Sequence, residues 1–158
     1  MEDTEKILLE YCSLEPSNEG LVYWGGKRDG DFFTISAVIA PATTSDYGRV
    51  STSNRANFDV VRTLNQNKFV EIAQVHSHPG DWVDHSLGDD ERAAFKFIGL
   101  ISVVVPNYGL NGMMPLCTCG VHRYSDNDFI RFSDSYVKNH FLIKDDLEEY
   151  IFVDQRST

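Results

Sequence analysis

The chain has few cysteines, and their arrangement does not indicate a disulfide framework. Cys12, Cys117 and Cys119 are an odd number at undistinguished spacing. Small secreted domains that depend on disulfides carry cysteine at a far higher density. We therefore expect three free, buried thiols and a location in the reducing cytoplasm.

The sequence also lacks a long hydrophobic run, a signal peptide and a basic surface. No apolar stretch approaches the ~20 residues of a membrane span, and the N-terminal segment MEDTEKILLEY is not of the basic, apolar signal-peptide type. With 14 basic residues against 24 acidic ones, the formal net charge is −10. That charge disfavours nonspecific binding to nucleic acid and to anionic membranes, so we expect neither as a partner.

What the sequence does contain is enough apolar material for one core. With 158 residues and 42% hydrophobic content, the whole of 1–158 is predicted to form a single domain. Helical and strand periodicities alternate along the chain, which predicts an α/β (α+β) fold. The predicted helices are 4–14, 54–65, 87–97 and 125–141, and the predicted strands are 20–24, 31–39, 68–75, 98–105, 115–124 and 150–153.

Two further local predictions concern the segment before the third strand. Residues 41–53 are predicted to be a polar loop, and Ser53 is predicted to cap the helix that follows. The side chains of that helix predicted to face the core are Phe58, Val61 and Leu64.

Two histidines and an aspartate occur in the order expected of metal ligands. The segment HSHPGDWVDHSLGD places Ser86 and Asp89 after His76 and His78 in a His-x-His-x7-Ser-x2-Asp pattern. Residues 68–75 predict a strand, on which side chains at i and i+2 point to the same face. Two imidazoles and a carboxylate are a ligand set of catalytic zinc, which keeps a fourth position open. We predict that His76, His78 and Asp89 bind one zinc ion.

Each part of this pattern also has a simpler interpretation. Ser86 and the acids after it form an ordinary helix start, with a serine N-cap and carboxylates in the first turn. A His-x-His pair alone is more often two hydrogen-bonded imidazoles. The metal site is favoured because four specified residues occur together, and Asp90 stays an alternative to Asp89. His85 in the loop is a further candidate for contact with the substrate or the metal, and Trp82 is expected to pack under the site, with a wall for the substrate as the alternative.

The pattern resembles the signature of the JAMM metalloproteases, also called the MPN+ or JAB domain family. That signature adds an upstream glutamate at the start of an apolar strand that ends in glycine. Glu19 matches this context in NEGLVYWGG. The competing Glu71 lies on the ligand strand, where alternation from His76 should turn it away from the metal. The resemblance, over roughly 19–124, implies a curved mixed sheet flanked by helices in a cytidine-deaminase-like fold, with Glu19 as general base and Ser86 stabilising the oxyanion.

The same resemblance implies cleavage after the C-terminal glycine of a ubiquitin-like protein, to deconjugate a target or to process a precursor. The chain resembles the compact, single-domain prokaryotic members. Some of these are encoded in conjugation and antiphage systems with enzymes similar to ubiquitin-activating or ubiquitin-conjugating enzymes, and such enzymes are further expected partners. An extended tail ending in Gly-Gly is expected to reach the site beneath the loop 41–53.

Two alternatives stay open. One is a non-catalytic MPN scaffold, and the other is a metallohydrolase that releases an amino acid or a small amide from a sulfur-carrier protein. The HExxH motif of other zinc proteases and the PCxxC motif of zinc deaminases are absent from the sequence.

Overall fold

A seven-stranded mixed sheet forms the centre of the computed structural model, which describes residues 1–144 and 149–156. Across the sheet the strand order is β8-β7-β6-β5-β1-β2-β9, and β3 and β4 form a separate hairpin. The strands are β1 (Leu21–Asp29), β2 (Phe32–Ala40), β3 (Thr43–Asp46), β4 (Arg49–Thr52), β5 (Val70–Ser77), β6 (Ile101–Val105), β7 (Gly120–Ser125), β8 (Asp128–Arg131) and β9 (Ile151–Asp154). The pairs β5–β6 and β2–β9 are parallel, and the other neighbours are antiparallel.

In the described residues four α-helices accompany the strands: α1 (Glu2–Cys12), α2 (Asn54–Gln66), α3 (Leu87–Arg92) and α4 (Asp134–His140). They flank the sheet, which does not close into a barrel within the described residues. The predicted fold class is thereby confirmed. None of the described helices combines the length and the apolar character that a bilayer crossing requires.

Strand β1 separates two apolar cores because its side chains alternate between the faces of the sheet. Val22 and Trp24 pack into the core that contains α1. Leu21 and Tyr23 point the other way and pack into the core that contains α2. The sheet is therefore covered on both faces, and the end of β1 nearest its first residue is held between two packed layers.

Helix α2 follows its predicted start but not its predicted core face. Ser53 caps the helix, since its side chain accepts a hydrogen bond from the Ala56 amide. Phe58 is 59% exposed and Val61 is 38% exposed, so two of the three predicted core positions were wrong. The residues buried instead are Ala56, Val60 and Leu64, which recur every four positions and so lie along one helical stripe.

The predicted C-terminal helix is wrong over its first half. Residues 125–141 contain strand β8 and only the short helix α4. The reason is the pair Asp126 and Asn127, whose φ angles of 54° and 67° are both positive. Such a pair fits the type I′ turn that joins two antiparallel strands, and Ser125 opposes Asp128 across it.

The predicted loop 41–53 is wrong as well, because it folds into the hairpin of β3 and β4. Thr43 pairs with Thr52, and Asp46 pairs with Arg49. Its polar side chains do not exclude a strand, since threonine and valine favour extended backbone.

Several predicted boundaries also moved. Helix α3 stops at Arg92 rather than at 97, and β6 and β7 begin later than predicted, at Ile101 and Gly120. Cys117 and Cys119 therefore lie in and beside a short 3-10 turn instead of on a strand. All three cysteines are free thiols, but only Cys119 is buried, and the other two are partly exposed.

Candidate metal centre

The two histidines of the pattern lie where strand β5 ends. His76 is the second-last residue of β5, and it pairs with Leu21 of β1 and Val104 of β6. His78 continues the extended path, because its amide donates to the Val105 carbonyl at 2.9 Å. Their side chains thus point to one face, as the i, i+2 spacing predicts. Both residues are buried, with relative exposures of 4% and 5%.

Asp89 completes a group of three potential metal-ligating atoms. The Nε2 atoms of His76 and His78 lie 3.2 Å apart. Asp89 Oδ2 lies 3.3 Å from the His78 nitrogen, and Oδ1 lies 3.6 Å from the His76 nitrogen. One ligand atom from each residue therefore converges on a common point, an arrangement suited to a metal ion.

The orientation of His78 is fixed from its other side. Its Nδ1 lies 3.0 Å from the Trp82 carbonyl oxygen, which can only accept, so Nδ1 must carry the proton. In the neutral ring Nε2 then carries the lone pair, which is the tautomer that a metal ligand needs. In the protonated ring Nε2 donates to Asp89 Oδ2 at 3.3 Å. The Trp82 indole stacks on the same imidazole at a centroid distance of 5.3 Å.

Ser86 and Asp89 cap helix α3 reciprocally while remaining part of the site. The Asp89 amide donates to Ser86 Oγ at 3.1 Å, and the Ser86 amide donates to Asp89 Oδ2 at 2.7 Å. This is a capping box with aspartate in the third helical position. The simple helix-start interpretation is therefore correct. The capping hydrogen bonds also orient the Asp89 carboxylate toward the histidines. The Ser86 hydroxyl proton stays free to donate.

The electrostatics of the group favour an ionised aspartate. Burial alone would raise the pKa of Asp89, but hydrogen bonds from His76, His78 and the Ser86 amide hold it far below its usual range. Burial opposes a charge on His78, yet its contacts with Asp89 and the Trp82 carbonyl raise the pKa of that imidazole overall. An anionic carboxylate beside two imidazoles is the state in which the group attracts a cation.

Glu19 lies against this group from the start of β1. The residue is 3% exposed, and burial raises the pKa of its carboxyl to about 7, with His78 lowering it and Asp89 raising it. The backbone around it is fastened to β5: the Gly20 amide donates to Ser77 Oγ at 3.0 Å, and the Ser77 amide donates to the Gly20 carbonyl at 3.1 Å. Ser77 is the residue between the two histidines, so the glutamate is placed beside them.

Strand alternation predicts that the Glu71 side chain faces away from the metal, but the structure turns it to the other face of the sheet. The pairing of β1 with β5 jumps from Trp24↔Ala73 to Gly25↔Glu71, so Ile72 is a bulged residue. A bulge shifts the alternation of side chains by one residue. Glu71 therefore lies on the same face of the sheet as Tyr23. The carboxylate contributes to the raised pKa of Tyr23. The prediction about its direction was wrong. Glu71 lies near the first residue of β5, whereas the histidines lie at its end.

His85 and Asp90 form a partly buried network behind the site. His85 Nδ1 donates to Asp90 Oδ1 at 2.8 Å, and its Nε2 accepts from Ser102 Oγ at the same distance. Ser102 in turn accepts from Gln74 Nε2 at 3.1 Å. Burial lowers the pKa of His85 to about 3. Both ring nitrogens of His85 and the Asp90 carboxylate therefore make hydrogen bonds that do not involve the converging ligand atoms.

A narrow cavity of ≈ 30 Å³ lies on the His76 side of the site. No sequence pattern had indicated it. Its floor comes from β1 and β5, one wall from β4 and the other from α3 and the residues after it. The residues that line it are Leu21, Tyr23, Val50, Ser51, Thr52, Gln74, His76, Gly88, Asp89, Arg92, Ala93 and Ala94. The signal missed in the sequence was the strand character of 43–52, because the wall exists only once that segment folds into a hairpin.

Comparisons with known proteins agree with the fold and with a metal site. No family model matches the chain. A Sinorhizobium fredii protein named as a probable metalloprotease is 33% identical over 98 residues, which are 60% of this chain and 60% of that protein. The chain therefore matches less than two thirds of this curated relative's length. The solution structure of a Desulfitobacterium hafniense protein is similar to this chain, with a TM-score of 0.60 and 19% sequence identity. The match covers 98% of this chain and 89% of the other chain, so the two proteins share a fold.

Proposed function

We propose that the chain is a single-domain zinc peptidase of the JAMM type, with His76, His78 and Asp89 as ligands. The observation that carries the proposal is the convergence of the three side chains: the Nε2 atoms of His76 and His78 lie 3.2 Å apart, Asp89 Oδ2 lies 3.3 Å from the His78 nitrogen, and Asp89 Oδ1 lies 3.6 Å from the His76 nitrogen. A tetrahedral zinc ion with bonds of ~2.0–2.2 Å holds its ligand atoms about 3.3–3.6 Å apart. The relative named as a probable metalloprotease supports metallopeptidase activity in general.

The neighbouring side chains divide the acid–base work. Zinc bound at the three ligands would supply a Lewis acid for amide hydrolysis. Glu19 accepts a proton from the attacking water and donates it to the departing amine. A pKa of about 7 makes both of its protonation states accessible near neutral pH. The Ser86 hydroxyl donates a hydrogen bond to the developing oxyanion, since its oxygen already accepts a hydrogen bond from the Asp89 amide.

We propose the C-terminal tail of a ubiquitin-like protein, or of its conjugate, as the substrate. The cavity between β4 and α3 is small, about 30 Å³, and this small size is consistent with an extended tail that ends in Gly-Gly. Strand β4 pairs with β3 along one edge, and its other edge can hold the tail through backbone hydrogen bonds. Ubiquitin-activating or ubiquitin-conjugating enzymes in the cytoplasm are the accompanying partners in this proposal.

Metal analysis combined with peptide hydrolysis tests the proposed function. We expect one zinc ion per chain and cleavage of a Gly-Gly peptide in the wild type, and loss of both in the His76→Ala/His78→Ala variant. His140→Ala is the matched control, because His140 is exposed on α4. Full zinc occupancy in the double variant would contradict the ligand assignment. Stoichiometric zinc without hydrolysis of any amide would favour the non-catalytic scaffold.

A further inference from the structure

Arg92 occupies a wall of the narrow cavity beside two of the proposed ligands. It is the last residue of α3, one turn after Asp89, and it lines the cavity together with His76 and Asp89. A Cβ atom added at Gly88 would stand 1.9 Å from an Arg92 guanidinium nitrogen. The guanidinium therefore folds back over Gly88, toward the site, in space that any larger residue would fill.

The guanidinium has unused binding capacity. Among residues 1–144 and 149–156, no hydrogen-bond or ion-pair partner of Arg92 is found. Arg131 and Arg156, by contrast, are each paired with aspartate or glutamate. Arg92 also lies close enough to Glu19 to lower that carboxyl's pKa. A planar guanidinium offers a fork of donors that matches a carboxylate in two parallel hydrogen bonds.

The volume of the cavity suits a ligand of this size. A cavity of ≈ 30 Å³ holds about two water molecules, since each needs roughly 10–15 Å³. The two oxygen atoms of one carboxylate take the same room. Ser51 and Thr52 on the opposite wall add polar groups, so the cavity is not an apolar pocket.

We infer that Arg92 is a specificity residue that binds a carboxylate of the substrate at the cavity beside the metal centre. This inference rests on the proposed peptidase function of the same site. The carboxylate has two possible sources. One is the free α-carboxylate of a single residue released from the tail, and the other is an acidic side chain preceding Gly-Gly in the tail.

Matched peptides tell the two sources apart in the zinc-loaded protein. The first pair ends in Gly-Gly-Ala with a free acid or an amide, and the second carries glutamate or glutamine just before Gly-Gly. In the pair that contains the recognised carboxylate, we expect Arg92→Gln to lower kcat/KM about 10- to 100-fold more for the acid than for the neutral peptide. Arg92→Lys should restore part of the preference, and Arg123→Gln, an exposed arginine on β7, should have no effect.

Three outcomes separate this inference from the proposed function. Equal kcat/KM for acid and neutral peptides in the wild type overturns the inference and leaves the peptidase standing. A loss in Arg92→Gln that is equal for all peptides, with a shifted pH profile, also overturns it, because Arg92 then acts only through Glu19. If the wild type cleaves no peptide, the proposed function fails. Calorimetric binding then tests Arg92 by itself, and tighter binding of the acid that Arg92→Gln abolishes still supports the inference.

Discussion

Several side chains of this site serve the fold and the proposed chemistry at the same time. His78 is held by the Trp82 carbonyl and by Asp89, and the half-exposed Trp82 ring covers one of its faces. A ring fixed on three sides loses little further freedom when it binds a metal. Trp82 therefore packs against His78 and also lies at the wall of the site. The sequence had left both of these roles open.

The first residue-scale prediction concerns Glu19. Glu19→Gln keeps the shape of the side chain but cannot take up a proton, so turnover should fall on the order of 10²-fold or more. Zinc content should stay at the wild-type level, because Glu19 is not a proposed ligand. Steady-state kinetics and metal analysis on the same preparation measure both effects.

Glu71→Gln is the control for this choice of carboxylate, because Glu71 lies on the same face of the sheet but near the opposite end of β5 from the histidines. Normal turnover in Glu19→Gln together with an inactive Glu71→Gln would show that the wrong glutamate was assigned.

The second residue-scale prediction concerns stability and pH at Glu71. Burial raises the pKa of this carboxyl from its ordinary 4.5 to about 8, and its Oε1 is buried without a hydrogen-bond partner among the described residues. A group with a raised folded pKa contributes stability that is complete below about pH 4.5 and is lost as the pH rises through about 8. Glu71→Gln is neutral at every pH, so it should be more stable than the wild type at pH 8.5 by about 1–3 kcal/mol.

Urea unfolding at pH 5 and pH 8.5 measures the difference between variant and wild type. The gap should be small at pH 5 and should open at pH 8.5. Glu15→Gln, at an exposed position, should show no such change. A gap that is the same at both pH values would contradict the burial argument.

Among the elements, the hairpin β3–β4 carries more of the site than its polar sequence suggests. Its carbonyl groups are fastened on two sides: Asp46 accepts from the Glu19 amide at 2.9 Å, and Tyr47 accepts from the Tyr108 hydroxyl at 2.8 Å. The hairpin thereby links the start of β1 to the turn that follows β6, and β4 supplies a wall of the cavity.

Loosening this hairpin should affect substrate use and leave the metal in place. Tyr108→Phe removes only the hydroxyl that holds Tyr47, so we expect KM to rise several-fold with unchanged zinc content. A partial deletion of 43–49 should raise KM or lower kcat further. Tyr136→Phe on α4, which packs against the 116–118 turn, is the matched control.

Bulky residues in place of the substrate's Gly-Gly should also slow cleavage. Unchanged kinetics with these substrates and with the hairpin variants would refute this route of substrate entry.

For the whole molecule, the three proposed ligands connect the end of β5 with the start of α3 across a loop. A metal that binds only the folded chain stabilises it by linkage, by ~4 kcal/mol at a thousandfold excess over Kd. For a chain of this length that corresponds to a rise in Tm of about 8–16 °C. Calorimetry with zinc and with a chelator measures the rise.

The same experiment on variants identifies the source of the stabilisation. His78→Ala should show little dependence of Tm on zinc, and His140→Ala should keep the wild-type response. A zinc-dependent rise that survives in His78→Ala would mean that the ion binds elsewhere.

The sequence by itself determined the features that depend on short-range geometry. The positions of His76 and His78 follow from strand alternation, and Ser86 with Asp89 follows from helix capping, both of which act within a few residues. The tertiary structure decided what depends on pairing between distant segments. The bulge at Ile72 arises from the pairing of β1 with β5, and it reversed the direction of Glu71. The cavity at Arg92 likewise exists only because β4, α3 and the sheet meet there, since no local pattern encodes the distance between segments far apart in the chain.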